Sequence, residues 1–382
     1  MSDRRHETPW WQRRRAELMA LAESGTPRYV YDTASAQAAV AALKSLRAVD
    51  RLFYAIKANP HPALLNTLHA AGLGFETVSP GELARVTSLF PELEKDRILF
   101  TPNFAPRQEY ADALARGVTL TLDNLHPLRE WPELLRGREF FLRVDTGNGA
   151  GHHRHVRTAG EASKFGIPLA ELREAVALAS GFGARITGLH AHVGSGILDP
   201  EVWGETASLL AELSPSFPDL QVLDLGGGLG IPERPGEPGL DLKRLDAGLL
   251  AVRRAHPRLQ LWLEPGRYLV GRAGVLLTRV TQLKGKGNLR YLGVDAGMNS
   301  LIRPALYAAH HEIVNLSRLG EPAAARYTVV GPICESGDVL GVERELPECR
   351  EGDLMLIADA GAYGHAMSSR YNLREPAAET LL

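Results

Sequence analysis

The chain has 382 residues, 45% hydrophobic and 23% charged, with 43 basic against 45 acidic side chains and a formal net charge of −2. That length predicts two domains, and the near balance of charge argues against nucleic acid or an anionic membrane surface as a partner. Two cysteines, Cys334 and Cys349, make no disulfide framework and have no metal-site spacing, which fits a reducing, cytoplasmic setting.

The N-terminus carries Arg4, Arg5 and Arg13 to Arg15, but Glu17, Glu23 and Ser24 interrupt the apolar run Leu18–Ala22, so no targeting core follows. Nowhere do about 18 apolar residues run together, so no membrane span is expected. From about residue 35 to 265, strand-type runs alternate with helix-type stretches. The strand candidates are Leu52–Ile56, Gly74–Val78, Ile98–Phe100, Val118–Leu122, Phe140–Val144, Ile186–Val193, Val222–Leu225 and Leu261–Glu264, all rich in Val, Leu, Ile and Phe. Helical stretches such as Pro62–Ala71, Arg107–Ala115, Leu169–Ser180 and Trp203–Leu213 lie between them. Eight β-α units predict a parallel sheet closed into a (β/α)8 TIM-type barrel, with an open doubly wound sheet as the alternative. After Glu264 the pattern changes. Val275–Leu283, Tyr327–Val330 and Asp353–Ile357, separated by turns such as Lys286-Gly287-Asn288, predict a β-rich second domain, which the early piece Tyr29–Tyr31 joins. The expected division is a barrel over residues 32–268, with residues 1–31 and 269–382 forming the β-rich C-terminal domain. Thr146–Gly166 and Pro232–Gly239 show no regular pattern and read as long functional loops.

In such a barrel the active site lies at the C-terminal ends of the strands. Lys57 ends the first strand. His192 and Ser195 close the sixth, Gly226, Gly227 and Gly228 follow the seventh, and Glu264 and Arg267 follow the eighth. Each has a bland reading: a solvated lysine, a tight turn, a hydrogen-bonded core histidine. On one rim they supply what a phosphorylated aldehyde cofactor needs. A desolvated lysine can form a Schiff base, and glycine N–H groups can cradle a phosphate. Ser195 and Arg267 can add donors. An acid at Glu264 suits a pyridine nitrogen; a carboxylate about 4 Å from a pyridinium gains roughly 4 kcal/mol at an effective dielectric of about 20. A second cluster comprises Arg303 and Tyr307, then Cys334 and Glu335, then Tyr363; Cys334 alone reads as a small buried hydrophobe and Arg303 as a surface ion-pair partner.

The ordered series Tyr54–Asn59, Ser163-Lys164-Phe165-Gly166, His192–Ser195, Gly226–Gly230, Glu264–Arg267, Asp295–Asn299, Arg303–Tyr307 and Cys334–Asp338 resembles the fold-type III pyridoxal-phosphate decarboxylases of the alanine-racemase-like barrel group, most closely the diaminopimelate decarboxylases. The resemblance implies pyridoxal 5'-phosphate held by Lys57 as a Schiff base, with His192 stacked on its ring. It places Glu264 at the pyridine nitrogen, Glu76 beside the lysine, and Ser195, Gly226–Gly228 and Arg267 around the phosphate. It further implies a homodimer with shared active sites, in which the partner's copy of Cys334 protonates Cα. Arg267, Arg303 and Tyr307 would recognise the substrate's distal carboxylate and Glu335 its distal amine, while Tyr363 would touch both cofactor and substrate.

The implied reaction is decarboxylation of meso-2,6-diaminopimelate at its D-centre to L-lysine and CO2. Enclosing a second carboxylate without a cation would cost several kcal/mol, which favours Arg303 as its partner. The rivals are a decarboxylase of ornithine, arginine or a D-amino acid, a racemase, and a non-catalytic pyridoxal-phosphate-binding homologue. Two positions depart from the family pattern: Glu76 stands where an aspartate is expected, and Ser300 replaces a commonly acidic residue. The loop His152-His153-Arg154-His155 has metal-ligand composition, but the resemblance makes it part of an active-site lid, and no metal is expected.

Overall fold

The computed structural model describes residues 8–147 and 163–382. Arg4, Arg5 and the loop His152-His153-Arg154-His155 lie outside the described residues. The chain divides into two compact units: Ala39–Ile231 with Gly239–Tyr268, and Met1–Ala38 with Pro232–Pro238 and Leu269–Leu382.

Strands are numbered along the chain from β1 (Arg28–Tyr31), which belongs to the second unit. The first unit holds β2 (Arg51–Ala55), β3 (Gly74–Thr77), β4 (Ile98–Phe100), β5 (Thr119–Leu122), β6 (Glu139–Asp145), the two-residue β7 (Ile167–Pro168), β8 (Arg185–His190), β9 (Val222–Asp224) and β10 (Gln260–Leu263). The eight long strands pair in the order β5-β4-β3-β2-β10-β9-β8-β6, and β5 also pairs with β6, so the sheet closes on itself. Every pairing around the ring is parallel. This is the (β/α)8 barrel, and the open doubly wound sheet is excluded by the closing pair.

Helices between strands carry local signals. Asp241 caps Leu242–Ala255 by accepting from the N–H groups of Lys243 and Arg244. Ser79 caps Pro80–Leu89, while Glu82 reaches back to the N–H of Val78. The stretch read as a helix over Leu169–Ser180 opens as a 3-10 turn, Leu169–Glu171, and becomes α-helical over Leu172–Gly181. The strand read as Ile186–Val193 stops at His190. Its last three expected residues run on without regular structure, with Ala191 and Val193 buried.

The barrel interior is layered. Phe53, Leu99, Phe141, Val222 and Trp262 make one buried cluster, with Trp262 5.0 Å from Phe53 and 5.5 Å from Phe141 between ring centroids. Four of the five come from alternate strands, as barrel layers require. Gly188 leaves room for this layer: a Cβ there would lie 2.3 Å from the Phe141 ring. Toward the strand C-termini the inward residues become polar, and Glu76, Arg143, His190, Asp224 and Glu264 are all buried. An apolar floor beneath a polar layer thus defines the working end of the barrel.

The second unit is β-rich. It contains β1, β11 (Gly274–Lys286), β12 (Leu289–Val294), β13 (Ile313–Asn315), β14 (Ala325–Val330), β15 (Val339–Leu346), β16 (Leu354–Ile357) and β17 (Ala378–Leu381). The sheet runs β13-β16-β11-β12-β14-β15, and β1 joins it by pairing antiparallel with β11 and parallel with β17. The turn at Gly287, at φ 59°, reverses the chain between β11 and β12. Two N-terminal helices, Trp10–Arg13 and Arg15–Ala22, were not anticipated from their charge-rich sequence. They bury Trp10, Trp11, Leu18 and Ala22 in one cluster with Val275, Leu277, Leu354 and Leu356.

Candidate active site

Lys57 sits in the 3-10 turn Ile56–Ala58 just past β2. Its side chain is 36% exposed, and its Nζ lies 2.5 Å from Glu76 Oε2, which is 1% exposed. The contact follows from register, because Ala55 at the end of β2 pairs with Glu76 on β3. Burial is the main influence on Glu76 and pushes its carboxyl up to about 7; Lys57 opposes that rise, and Glu264 and Glu82 add to it.

Glu264 follows β10 directly, and its N–H donates to the carbonyl of Gly226 at 2.8 Å, tying the acid to the glycine turn. Its Oε2 lies 3.3 Å from His190 Nε2, and its Oε1 is buried with no hydrogen-bond partner among the described residues. Burial opposes ionisation of Glu264. Attraction and hydrogen bonding to His190, then the charge of Lys57, outweigh it and bring the carboxyl down to about 2. Asp224, at the end of β9, is fully buried and lies against it: one ligand-type atom from each of His190, Asp224 and Glu264 falls within 4.8 Å of the others. Burial first, then repulsion from Glu264, raises Asp224 well above the usual carboxylate range. Two desolvated carboxyls this close cannot both ionise, so Asp224 keeps the proton and Glu264 the charge.

The glycine turn is held by close approach. A Cβ on Gly227 would lie 2.3 Å from the Glu264 carbonyl oxygen, and one on Gly228 would lie 2.5 Å from that of Gly194. Gly226 and Gly228 also take φ of +60° and +87°, a region costly for other residues. Two of the turn's N–H groups are already engaged: Gly226 donates to Asp224 Oδ1 at 3.0 Å and Gly227 to His192 Nδ1 at 3.1 Å. The turn therefore offers an incoming phosphate less than three free glycine N–H groups. Beside it, Arg267 Nη2 donates to Ser195 Oγ at 3.0 Å. The bond from Gly227 fixes His192 with an unprotonated Nδ1. Burial, followed by the charges of Arg143 and Lys57, holds this imidazole well below its usual range.

Lys57, Glu76, His192, Ser195, Gly226, Gly227, Gly228, Glu264 and Arg267 all belong to one barrel unit and its C-terminal rim. Sequence reasoning missed His190, Asp224 and Arg143 there. Arg143 is buried, donates to Asn103 Oδ1 at 3.1 Å, and lies 4.4 Å from the Phe165 ring centroid. The available signal was a polar residue inside an apolar strand run, as in Phe140-Phe141-Leu142-Arg143-Val144 and Val222-Leu223-Asp224-Leu225.

The fit of these residues to pyridoxal phosphate rests on three features: an amine at Lys57, a buried unpartnered acceptor on ionised Glu264, and a narrow turn beside Ser195 and Arg267. A family model, the pyridoxal binding domain of the pyridoxal-dependent decarboxylases, matches residues 34–271. A diaminopimelate decarboxylase of Methanothermobacter thermautotrophicus is 38% identical, over 96% of this chain and 89% of that protein. The chain belongs to the diaminopimelate decarboxylase family. Another member, from Escherichia coli K12, is 34% identical, over 95% of this chain and 90% of its own. A crystal structure of the Helicobacter pylori diaminopimelate decarboxylase complexed with L-lysine aligns with a TM-score of 0.88 at 29% identity, covering 96% of this chain and 94% of that one.

The remaining residues singled out for this family lie in the β-rich unit. Arg303 is buried at the start of the helix Arg303–Tyr307, and Tyr307 at its end is half-buried. Cys334 and Glu335 are exposed. Their loop is fastened by Asp338, which accepts from the N–H groups of Ile333 at 2.7 Å and Met298 at 2.6 Å, and by Asn372, which accepts from Cys334 N–H at 2.7 Å. Tyr363 is half-buried with φ of 57°, a strained backbone of the kind that collects at working sites.

Proposed function

We propose that this chain is a carboxy-lyase that removes the D-centre carboxylate of meso-2,6-diaminopimelate, releasing CO2 and L-lysine, with pyridoxal phosphate as cofactor. The observation that carries the reading is the convergence of the Lys57 amine, the ionised Glu264 and the Gly226–Gly228 turn on one barrel rim. Lys57 would hold the cofactor's aldehyde carbon, and Ser195, Gly228 and Arg267 its phosphate. Bound there, pyridoxal phosphate supplies a conjugated ring that takes up the electron pair released when a bond to the substrate's Cα breaks.

The chain's own residues set the conditions. Glu264, ionised and with one buried unpartnered oxygen, would keep a proton on the ring nitrogen of the bound cofactor. Asp224 stays neutral and spares Glu264 a second negative neighbour. His192, held by Gly227, would cover a ring face without carrying charge. Glu76 accepts a hydrogen bond from the Lys57 amine and holds it in place until the amine is used. By the family resemblance, Arg267, Arg303 and Tyr307 would recognise the distal carboxylate, Glu335 the distal amine, and Tyr363 both cofactor and substrate. Cys334 delivers the proton to Cα after CO2 leaves.

A homodimer with shared sites is part of the proposal. Its support is that Cys334 and Glu335 lie exposed on a fastened loop, as groups meant for a partner's substrate would. Among the described residues no helix is long and apolar enough to cross a membrane. The proposal includes a cytoplasmic setting, supported by two cysteines that are both free. The test is CO2 release by the purified protein with added pyridoxal phosphate from meso-diaminopimelate, ornithine, arginine and D-lysine. Preference for the dicarboxylate is expected; faster release from ornithine or arginine would replace this reading with its nearest rival.

A further inference from the structure

Arg303 already holds a carboxylate. Its side chain is 4% exposed, and Nη2 lies 3.1 Å from Glu233 Oε1. On its other side Nη1 meets His311 Nε2 at 3.2 Å. His311 Nδ1 lies 2.9 Å from the Ala358 carbonyl, which only accepts, so Nδ1 carries the proton and Nε2 accepts from the arginine. Arg303 Nε is buried with no hydrogen-bond partner among the described residues. Glu233 comes from Pro232–Pro238, which packs with the β-rich unit and lies in a stretch whose sequence reads as a functional loop.

The loop presents that carboxylate rigidly. The N–H groups of Glu233 and Arg234 donate to Glu237 Oε2 at 3.0 and 3.1 Å, and His310 Nδ1 donates to the Glu233 carbonyl at 2.8 Å. Yet the Glu233 side chain keeps 27% of its surface open, against 4% for its partner. The bland reading is a counter-ion that neutralises a buried arginine. The geometry leads further. A buried guanidinium whose Nε has no hydrogen-bond partner among the described residues stands beside a partly open carboxylate, and these adjacent opposite charges match the carboxylate and ammonium of an α-amino acid head.

We propose that Glu233 is a specificity-determining residue that receives the ammonium of the substrate's distal amino-acid head while Arg303 receives its carboxylate. The inference rests on the reading of Arg303 as the distal carboxylate's partner. It assigns a second acid, from the same chain as Arg303, to an amine otherwise left to Glu335 alone.

Steady-state kinetics of the holoenzyme on three substrates with one reacting centre test it: meso-diaminopimelate, D-2-aminopimelate, which lacks the distal amine, and D-lysine, which lacks the distal carboxylate. Glu233→Gln should raise KM for meso-diaminopimelate tenfold or more and leave KM for D-2-aminopimelate the same or lower. An equal change on both substrates, or none on either, overturns the role of Glu233. Arg303→Lys separates the underlying reading: it should raise KM for both carboxylate-bearing substrates and not for D-lysine. If it does not, the Arg303 assignment fails first. Should Glu233→Gln not fold, as judged by pyridoxal phosphate absorbance, Glu233→Asp keeps the charge on a shorter arm. It should then show the same substrate-selective rise in KM, and its absence counts against the proposal.

Discussion

Lys57 Nζ and Glu76 Oε2 stand 2.5 Å apart at the end of two paired strands, and the acid is almost completely buried. The glutamate's extra methylene, at a position where the family pattern leads one to expect aspartate, does not prevent the contact. With the carboxyl pushed up to about 7 by burial, the folded protein binds this proton more tightly than the unfolded chain does.

The sign of the pH effect follows. Stability contributed by neutral Glu76 is fully present below the unfolded value of 4.5 and is lost as pH rises through about 7. The loss is on the order of 3 kcal/mol for the apoprotein. Urea unfolding at pH 5, 6, 7 and 8 should show a steeper fall for wild type than for Glu76→Gln. Parallel slopes would remove Glu76 as the source.

Asp224 carries the same sign more strongly, since it stays protonated well above the ordinary carboxylate range. Asp224→Asn removes the cost of holding that proton and keeps the shape. The variant should gain stability relative to wild type between pH 4 and pH 8, and it should keep its pyridoxal phosphate affinity within a few-fold. An Asn variant that loses ground as pH rises would mean that Asp224 is ionised.

Lys57→Ala should abolish the visible absorbance band that pyridoxal phosphate gives when bound, because it removes the amine assigned to the aldehyde. Retention of an unchanged band would take that role from Lys57.

Cys334→Ala should lower kcat by about 100-fold or more, the usual scale of a lost general acid, with pyridoxal phosphate affinity changed by less than about twofold. A fully active variant would move the proton donor elsewhere.

Gly227→Ala puts a methyl 2.3 Å from the Glu264 carbonyl oxygen, so either the turn or Glu264 must shift. Overpacking of this kind costs about 1–3 kcal/mol. We expect a lowered Tm and weakened cofactor binding together; a variant with wild-type values for both would show that the turn is looser than its packing implies.

The regular part of the molecule was legible in the sequence. Eight runs of Val, Leu, Ile and Phe separated by helical stretches announce a parallel barrel, because strands covered on both faces must be apolar throughout. The residues after those runs, Lys57, His192, Gly226–Gly228 and Glu264, were visible for the same reason: strand ends in such a barrel meet on one rim. Short strands such as Ile313–Asn315 and Ala378–Leu381 left no periodic trace, since three or four residues are too few to establish a period and their pairing partners are remote in sequence.

What only the tertiary structure decided is which charges face each other. The sequence placed Glu264 at the site but could not say that Asp224 and His190 press on it, that Gly226 and Gly227 spend their N–H groups on Asp224 and His192, or that Glu233 occupies Arg303. The physical reason is that a pKa or an ion pair depends on distances of a few ångströms and on local burial, set by register across strands and by the path of loops. Those distances are properties of the packed chain. Composition and spacing determine which groups reach the rim, and packing determines which of them hold a proton when they arrive.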